Sequence, residues 1–417
     1  MDEVTGLVKA FLSGKVDLIG LDIGSYAVKG ASVTVSGKSA KIKGWGYEPY
    51  NFKANASIED KKKQMAGALK KMLANARIAN KSVCIGVSGN SVIVRYVKIP
   101  WMVRTELEMR LRAEAEPFIP FDVNDVNLGF HKIADIKEDG AKKMEIILVA
   151  AKREIISTKM EVVSAAGLNP LVIDVDVFAL DGLWNQVVAA SEELKPGRQA
   201  AGADSAPEKR PAVMILNIGH KITNLAIIDN GVTRVARDIL IAGATFNKAI
   251  AKNLGIETDR ADEMKKEFGL DLSIYEQGAD KAAPAPDPAA AEAGGGAAPV
   301  NGPAGMAAAQ SGRQSSAIST IIYEVLKDLV VEVRRSVEFF YSQNADRSIG
   351  KVYLCGGSAN LKNIDKFLAV ELNTPVEVLN PFSLSSDASD TGPGDDTAPA
   401  MAVALGLSLR KMWDWQQ

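Results

Sequence analysis

The chain has few of the side chains that hold transition metals or form disulfides. Its 417 residues include two cysteines and two histidines. A structural zinc site takes about four such ligands, so we expect no zinc centre. Cys84 and Cys355 both lie in apolar, strand-like segments. We therefore predict buried free thiols, as in a protein of a reducing compartment.

The sequence also has no long apolar run and no strong charge of either sign. No stretch reaches the roughly 18–20 apolar residues that a membrane-spanning helix needs. The first residues include Asp2 and Glu3 and show no signal-peptide pattern. A net charge of −2 gives no reason to expect nucleic acid as a partner. The composition fits a soluble chain of two or more domains, so we expect any membrane association to come through a partner or surface contacts.

What is present is a strand that ends in a turn suited to anions. The segment Leu18–Gly30 is apolar up to Asp22 and continues with Gly24 and Ser25. Gly24 lets the backbone come close to an anion, and the neighbouring N–H groups can cradle it. Lys29 can add a cation, and Asp22 can hold Mg²⁺ through water. The alternative is an ordinary strand–turn–strand with a surface aspartate.

The same pattern recurs in the middle of the chain. In the segment Val213–Thr223, Asn217 takes the place of Asp22 and Gly219 that of Gly24. An apolar hairpin with a turn near Asn230 follows. A repeat at so long a spacing excludes a solenoid and indicates two related domains that share a cleft.

A third segment, Val352–Ala359, is a strand that ends in paired glycines, where a flat nucleoside could approach the backbone. In this order the three segments resemble the actin-like ATPase superfamily, which includes actin, sugar kinases, heat-shock chaperone ATPases and FtsA. The resemblance implies an α/β, ribonuclease H-like fold that is duplicated, with two domains around a cleft for ATP and Mg²⁺. It assigns the metal to Asp22 and the nucleotide contacts to Gly24, Ser25, Lys29, Asn217, Gly219, Thr223, Gly356, Gly357 and Ser358.

The resemblance also suggests a catalytic residue and an adenosine contact. Asp176 follows an apolar strand directly and looks like the acidic residue that faces the attacking water; a helix N-cap is the alternative. Asp262 and Lys265 have the spacing of an acid–lysine pair that contacts adenosine, or they form a solvated charged face. Asn217 stands where most of the superfamily has aspartate, and an amide supplies no negative charge to Mg²⁺. Whether ATP is hydrolysed therefore stays open.

An inserted α/β subdomain is predicted at 92–166. It contains a helix opened by a capping box at Thr105 and ends with a helix at 153–166. Actin lacks an insertion here, whereas FtsA and PilM have one. Within the superfamily the chain most resembles the PilM family of type IV pilus assembly, through Gly20–Ser25, Glu114–Phe121, Leu216–Gly219 and Arg334–Phe340.

The resemblance to PilM implies a cytoplasmic, ATP-binding scaffold that reaches the inner membrane through partners. Such proteins bind the N-terminal tail of a PilN-like membrane protein, in a groove between the insertion and the first domain. They form a ring near the pilus motor ATPases and the platform protein. We expect the tail to meet a basic helix face and an exposed Ile-Pro-Phe elbow, at Arg104, Arg112, Ile119 and Phe121. The alternative for Ile119 and Phe121 is the core of the subdomain.

Two other functions stay open on the sequence alone. One is a filament-forming, FtsA-like division protein, since Leu405–Trp413 is apolar and ends in basic and aromatic residues. The other is a small-molecule kinase with Asp176 as the base, although we find no convincing sugar-binding constellation.

The expected domain organisation follows these segments. The first domain is 1–91 and 167–190, with the inserted subdomain at 92–166 and a linker at 191–210. The second domain is 211–245 and 326–398. A helical, nucleotide-contacting subdomain is 246–325, with a disordered excursion at 278–312 because that stretch is rich in Ala, Pro and Gly. Residues 399–417 return to the first domain as a helix.

Overall fold

The computed structural model describes residues 17–36, 39–52, 56–190, 211–273, 303–385, 392–394 and 396–410. The predicted linker 191–210, the residues before 17 and after 410, and part of the predicted disordered excursion lie outside these residues.

Thirteen strands and nine α-helices are described in this part of the chain. The strands are β1 (Ile19–Ile23), β2 (Ala27–Ser36), β3 (Ser39–Pro49), β4 (Ser82–Val87), β5 (Val92–Pro100), β6 (Val126–Glu138), β7 (Ala141–Lys152), β8 (Asn169–Val175), β9 (Ala212–Ile218), β10 (Thr223–Asp229), β11 (Val232–Ile239), β12 (Ile349–Cys355) and β13 (Val376–Val378). The helices are α1 (Ile58–Asn75), α2 (Arg104–Ala115), α3 (Arg153–Ala165), α4 (Asp176–Ala190), α5 (Gly243–Leu254), α6 (Thr258–Phe268), α7 (Pro303–Gln343), α8 (Ile364–Leu372) and α9 (Ala402–Ser408).

Two five-stranded sheets repeat one topology. The first has the order β3-β2-β1-β4-β8 and the second the order β11-β10-β9-β12-β13. Each begins with an antiparallel β-meander, and its last two strands run parallel to the first. The apolar runs that end at Asp22 and Asn217 become β1 and β9, the central strands of the two sheets. The predicted duplication is therefore confirmed.

Helices α4 and α9 lie between the two sheets and give them a common core. Apolar residues of both sheets pack there, with Trp184 of α4 against Tyr353 of β12 at 4.5 Å between ring centroids. A Cβ on Gly20 of β1 would overlap the backbone of α9, and one on Gly406 of α9 would overlap the carbonyl of Ala179 in α4. Only glycine permits this approach of backbone to backbone. Helices α1 and α3 cover the other face of the first sheet, and α5 to α8 that of the second.

The inserted subdomain consists of the sheet β5-β7-β6 and the helix α2. Its predicted extent to residue 166 is too long, because Val162 and Val163 of α3 are buried in the core of the first domain with α1. The predicted capping box is also wrong. Helix α2 begins at Arg104 after Val103, and no side chain caps it.

Helix α7 starts at Pro303, inside the predicted disordered excursion. Its buried residues between Ile318 and Phe340 belong to the core of the second domain. The prediction of disorder is therefore wrong for residues 303–312, and residues 278–302 lie outside the described part. Cys84 and Cys355 are buried free thiols, as predicted. In the described ranges, no helix combines the length and the apolar composition that crossing a membrane requires.

Candidate functional site

The two repeated loops have the same hydrogen bond and face each other. After β1, the N–H of Gly24 donates to the carbonyl of Ala27 at 3.2 Å; after β9, the N–H of Gly219 donates to that of Ile222 at 3.0 Å. Each glycine thus opens a tight turn whose next residue, Ser25 or His220, stands at the tip. The rings of Tyr26 and His220 meet with centroids 5.3 Å apart. The loop tips of the two domains are therefore in contact across the cleft.

Behind each loop, one cross-strand pair occupies matching positions with different chemistry. Asp22 faces Lys29 across β1 and β2, and the two form an ion pair at 2.5 Å. Asn217 faces Asn224 across β9 and β10, and its amide donates to the Asn224 oxygen at 2.6 Å. The first loop therefore carries an ion pair and the second a neutral amide pair.

The amide pair continues into a chain of hydrogen bonds between the domains. The amide of Asn224 donates to one oxygen of Asp238 at 2.7 Å. The N–H of Gly89, just after β4, donates to the other oxygen at 2.5 Å. Burial raises the pKa of Asp238, while these two donors partly offset the shift. The sequence analysis did not single out Asp238, because its role depends on a contact between distant segments.

A cavity of about 730 Å³ lies between the loops and the end of β12. Its wall contains all but one of the predicted nucleotide, metal and catalytic residues: Asp22, Gly24, Ser25, Lys29, Asp176, Asn217, Gly219, Asp262, Lys265, Gly356, Gly357 and Ser358. The exception is Thr223, which is buried and donates its hydroxyl to the carbonyl of Ile241 at 2.7 Å. Its contact with a nucleotide stays a prediction.

Asp176 is the first residue of α4 and directs a carboxylate into the cavity wall. Oδ2 accepts a hydrogen bond from the hydroxyl of Ser88 at 2.6 Å, whereas the buried Oδ1 has no hydrogen-bond partner. Burial raises the pKa of Asp176 to about 6, although the nearby Lys159 ammonium opposes the shift. Ser88 and Lys159 also line the cavity and were missed. Ser88 follows a strand of the first sheet, a position that could have been recognised; nothing in the sequence marks Lys159.

On the side of the second domain, a buried polar cluster holds Asp262 and Lys265. The Lys265 ammonium donates to Asp262 at 2.7 Å and to Asn247 at 2.6 Å. Lys266 pairs with the same carboxylate at 2.5 Å. Although burial opposes it, these donors hold the pKa of Asp262 well below its ordinary value. The two predicted residues are therefore in contact with each other as well as with the cavity, and the solvated-face alternative does not hold for buried Lys265.

The glycines at the end of β12 leave room for a flat ligand. Gly356 has a φ of +87°, and a Cβ there would lie 2.5 Å from the carbonyl oxygen of Ile218. A Cβ on Gly357 would meet no atom within 4 Å, so this position opens onto free space. Glycine is thus required at the first position by the backbone, while at the second it keeps the cavity wide.

These residues fit a nucleotide with its metal. The two glycine turns and Lys29 suit phosphates, and the space beside Gly357 suits a nucleoside. Among the described residues, no cluster of three or more His, Cys, Asp or Glu side chains could hold a metal by itself. A Mg²⁺ ion at Asp22 would therefore take its remaining ligands from phosphates and water, as this ion commonly does.

The surface predicted to bind the partner differs in the structure from the prediction in two respects. Ile119 is 8% exposed and belongs to the core of the inserted subdomain, so the prediction of an exposed elbow is wrong there. Phe121 is half-buried beneath the Lys152 ammonium. Helix α2 is not basic, because its three arginines are matched by Glu106, Glu108 and Glu114. Arg104 and Arg112 remain on the surface, paired with Glu108 and Asn124.

The repeated sheets, the helices between them and the cleft define an actin-like protein with an inserted subdomain. The sequence model described as type IV pilus assembly protein PilM matches residues 20–277 and 309–412. The chain belongs to this family, whose role is in type IV pilus assembly. Its fold is similar to a chain of a solved "PilM-PilN type IV pilus biogenesis complex", with 25% identity, a TM-score of 0.69 and coverage of 95% of this chain and 98% of that one.

Two further solved structures share lower similarity. One is the ethanolamine utilization protein EutJ from Carboxydothermus hydrogenoformans, with 11% identity, a TM-score of 0.47 and coverage of 98% and 97% of the two chains. The other is MreB5 of Spiroplasma citri bound to ADP, with 15% identity, a TM-score of 0.44 and coverage of 93% and 94%. We draw no functional conclusion from these two similarities.

Proposed function

We propose that this protein binds Mg-ATP between its two domains and, in this state, holds the cytoplasmic tail of a PilN-like membrane protein during pilus assembly. The observation that carries the nucleotide part is the cavity of about 730 Å³, into which both glycine turns and the end of β12 open. A cavity of this size is in the range of small-ligand sites.

In this proposal each part of the cavity has its own task. The turns at Gly24 and Gly219 bind the phosphates, with Lys29 as a cation. Asp22 holds Mg²⁺, which would offset the charge of the phosphates. The strand end at Gly357 receives adenosine, with Asp262 and Lys265 at its edge. Hydrolysis is not required, because a nucleotide that contacts both domains already fixes their arrangement and so the surface presented to partners.

Asp176 would face the water in any hydrolysis. Its side chain lies in the cavity wall, and a pKa of about 6 leaves the carboxylate mostly ionised at neutral pH, as a hydrogen-bond acceptor for that water must be. Asn217 adds no charge at the opposite loop, which favours binding over rapid turnover.

Titration with labelled ATP tests the nucleotide part of the proposal. We expect saturable binding that requires Mg²⁺. Absence of binding by a folded, monodisperse protein would disprove the nucleotide part and leave the family assignment intact.

The partner part is supported by the surface of the inserted subdomain. Arg104 and Arg112 lie on the outside of α2, and exposed apolar side chains nearby in the sequence replace Ile119 as candidate anchors: Val103 is 51% exposed, Met109 80% and Phe118 38%. Apolar contacts flanked by cations suit a short extended peptide with aliphatic anchors. PilN is the protein with which the similar chain forms its solved complex.

A charge reversal tests this surface. Arg104→Glu with Arg112→Glu is expected to weaken binding of a labelled PilN-tail peptide at least tenfold at low salt, where electrostatic contributions are strongest. Lys98→Glu with Lys137→Glu makes the same change in net charge on strands β5 and β6 of the subdomain, outside α2, and is expected to keep most of the affinity. Equal losses in the two variants would point to another surface.

The location in the cell and the assembly belong to the same proposal. We place the protein at the cytoplasmic face of the inner membrane, held there by the PilN-like tail, with self-assembly into a ring beside the motor ATPases and the platform protein. Membrane flotation with and without the partner tests the first part.

A further inference from the structure

His220 lines the cleft, and the proposed nucleotide site gives it no role. It follows Gly219 directly, as Ser25 follows Gly24 in the first loop. Both turns close with the same hydrogen bond, and both tip residues line the cavity. The imidazole therefore stands opposite the first loop, where Ser25 lines the cavity.

The contacts of His220 reach both domains. Its ring lies against Tyr26, with centroids 5.3 Å apart and planes tilted by 46°. Tyr26 in turn carries the Lys266 ammonium 5.5 Å from its ring centroid. An anion that enters between the two loops thus meets an imidazole on one side and the first loop on the other.

The charges that act on His220 come from its own loop and from the two helices packed beside it. They are Lys221 in the loop, Lys248 on α5, and Asp262 and Lys265 on α6. Burial, then the positive charge of Lys265, lowers the pKa of His220 to about 4, and the Asp262 carboxylate opposes this only in part. The free protein therefore holds a neutral imidazole in a surrounding with surplus positive charge.

A phosphate chain would oppose this shift in two ways. It brings negative charge next to the ring, which offsets the cations, and it offers acceptor oxygens to the protonated imidazole. A neutral imidazole can already donate one N–H to a phosphate oxygen, and the protonated form is a stronger donor.

We propose that His220 is a phosphate-binding residue of the cleft, which contacts the phosphate chain of a bound nucleotide and takes up a proton when that chain binds. This rests on the proposed nucleotide site. It gives the second loop, which has no carboxylate at Asn217, a side chain that becomes cationic only in the bound state.

The test compares His220→Gln with the unmodified protein in titrations with Mg-ATP at pH 7.5 and 5.5. Glutamine keeps an amide group that can donate a hydrogen bond but cannot take up a proton. If the phosphates restore a pKa near 6.5, the ratio of the two affinities rises about tenfold between these pH values. Protonation of ATP itself is common to both proteins and cancels in the ratio.

Calorimetry in buffers of different ionisation enthalpy measures the proton uptake on ATP binding and is a second test. At pH 5.5 we expect uptake of about one proton on ATP binding, which His220→Gln abolishes. His131→Gln removes the other histidine of the chain, in the inserted subdomain, and is expected to leave the uptake unchanged. Adenosine, which has no phosphates, should bind both His220 forms with equal affinity.

The outcomes separate the two proposals. ATP binding with an equal affinity ratio at both pH values, or with proton uptake that survives His220→Gln, overturns the role of His220 and leaves the nucleotide site in place. Absence of ATP binding by the unmodified protein overturns both.

Discussion

The two halves of the molecule have the same strands in the same order but place different charges behind their loops. In the first half, Asp22 and Lys29 form an ion pair that ends at the cavity wall. In the second half, the matching positions are Asn217 and Asn224, and the pattern continues through Asp238 to the backbone of the first half. The duplicated backbone therefore supports two tasks: an ion pair at the ligand cavity in the first half, and a chain of hydrogen bonds to the other domain in the second.

A second asymmetry lies at the last strand of each sheet. Asp176 follows β8 of the first sheet, whereas Leu379 follows β13 of the second and is buried in the common core. Only the first half thus presents an ionisable group at this position. Together the two differences place the proposed metal ligand Asp22 and the proposed catalytic residue Asp176 in the first half.

The two halves share a common core. A substitution that disrupts this core is expected to have the largest effect on stability. Gly406→Ala would push a Cβ into the carbonyl of Ala179, where α9 meets α4. We expect a loss of at least about 3 kcal/mol in the free energy of unfolding, because backbone cannot give way as a side chain can. Urea unfolding measures this.

The matched control for this change lies on α4 itself. A Cβ on Gly182 would meet no atom within 4 Å, so Gly182→Ala should be neutral or stabilise by up to about 1 kcal/mol. Similar losses in both variants would contradict the close packing of α9 on α4.

The second largest effect on stability is expected from the charge of Asp176. Because burial raises its folded pKa to about 6, above the value near 3.9 of an unfolded chain, the folded state binds the proton more tightly. Stability should therefore fall as the pH rises from about 4 to 6, by about 2–3 kcal/mol at pH 7. Asp176→Asn should remove this slope and unfold at a higher temperature at pH 7, with little difference near pH 4. Thermal melts from pH 4 to 7 would refute it if both proteins gave parallel curves.

The two loops can be compared directly by removing one side chain from each. Asp22→Ala removes the carboxylate proposed for Mg²⁺ and is expected to weaken Mg-ATP binding at least tenfold, or ~1.4 kcal/mol. Asn217→Ala removes a neutral amide, so the affinity should fall less, while the loss of a buried hydrogen bond costs about 1–2 kcal/mol of stability. Isothermal titration with and without Mg²⁺ measures the affinity of both variants. Equal losses of Mg²⁺-dependent affinity would mean that the charge difference has no functional meaning.

The sequence predicted what depends on local pattern. Apolar runs and glycine turns located β1 and β9, and the repeat gave the duplicated fold and most of the cavity wall. The sequence did not reveal contacts between distant segments, such as the hydrogen bond that the hydroxyl of Thr223 donates to the carbonyl of Ile241. Ile119 looked like an exposed elbow because nothing local shows that the three-stranded sheet buries it.

Networks of polar side chains were even harder to predict from the sequence. The chain from Asn217 to Gly89 joins four segments, and no spacing in the sequence reveals that they meet. Lys159 reaches the cavity only because α3 packs on the first domain rather than on the insertion that precedes it.

Each half of the molecule is interrupted by an inserted segment. Shortening the segment in the second half is expected to have the smallest effect on stability and ATP affinity. The first half is interrupted between β4 and β8 by a subdomain with its own core. The second is interrupted between α6 and α7 by a segment, 274–302, with few large apolar side chains to bury. Deleting residues 281–295 roughly halves that connection, and halving a loop changes its closure entropy by only about 0.6 kcal/mol. We therefore expect unfolding free energy and ATP affinity to stay nearly unchanged.

Ile322→Ala, at a fully buried position of α7, shows what a packed residue of the same region contributes, about 2–5 kcal/mol. If the deletion cost as much as Ile322→Ala, the segment would be part of the packed structure, and both halves would depend on their interruptions alike.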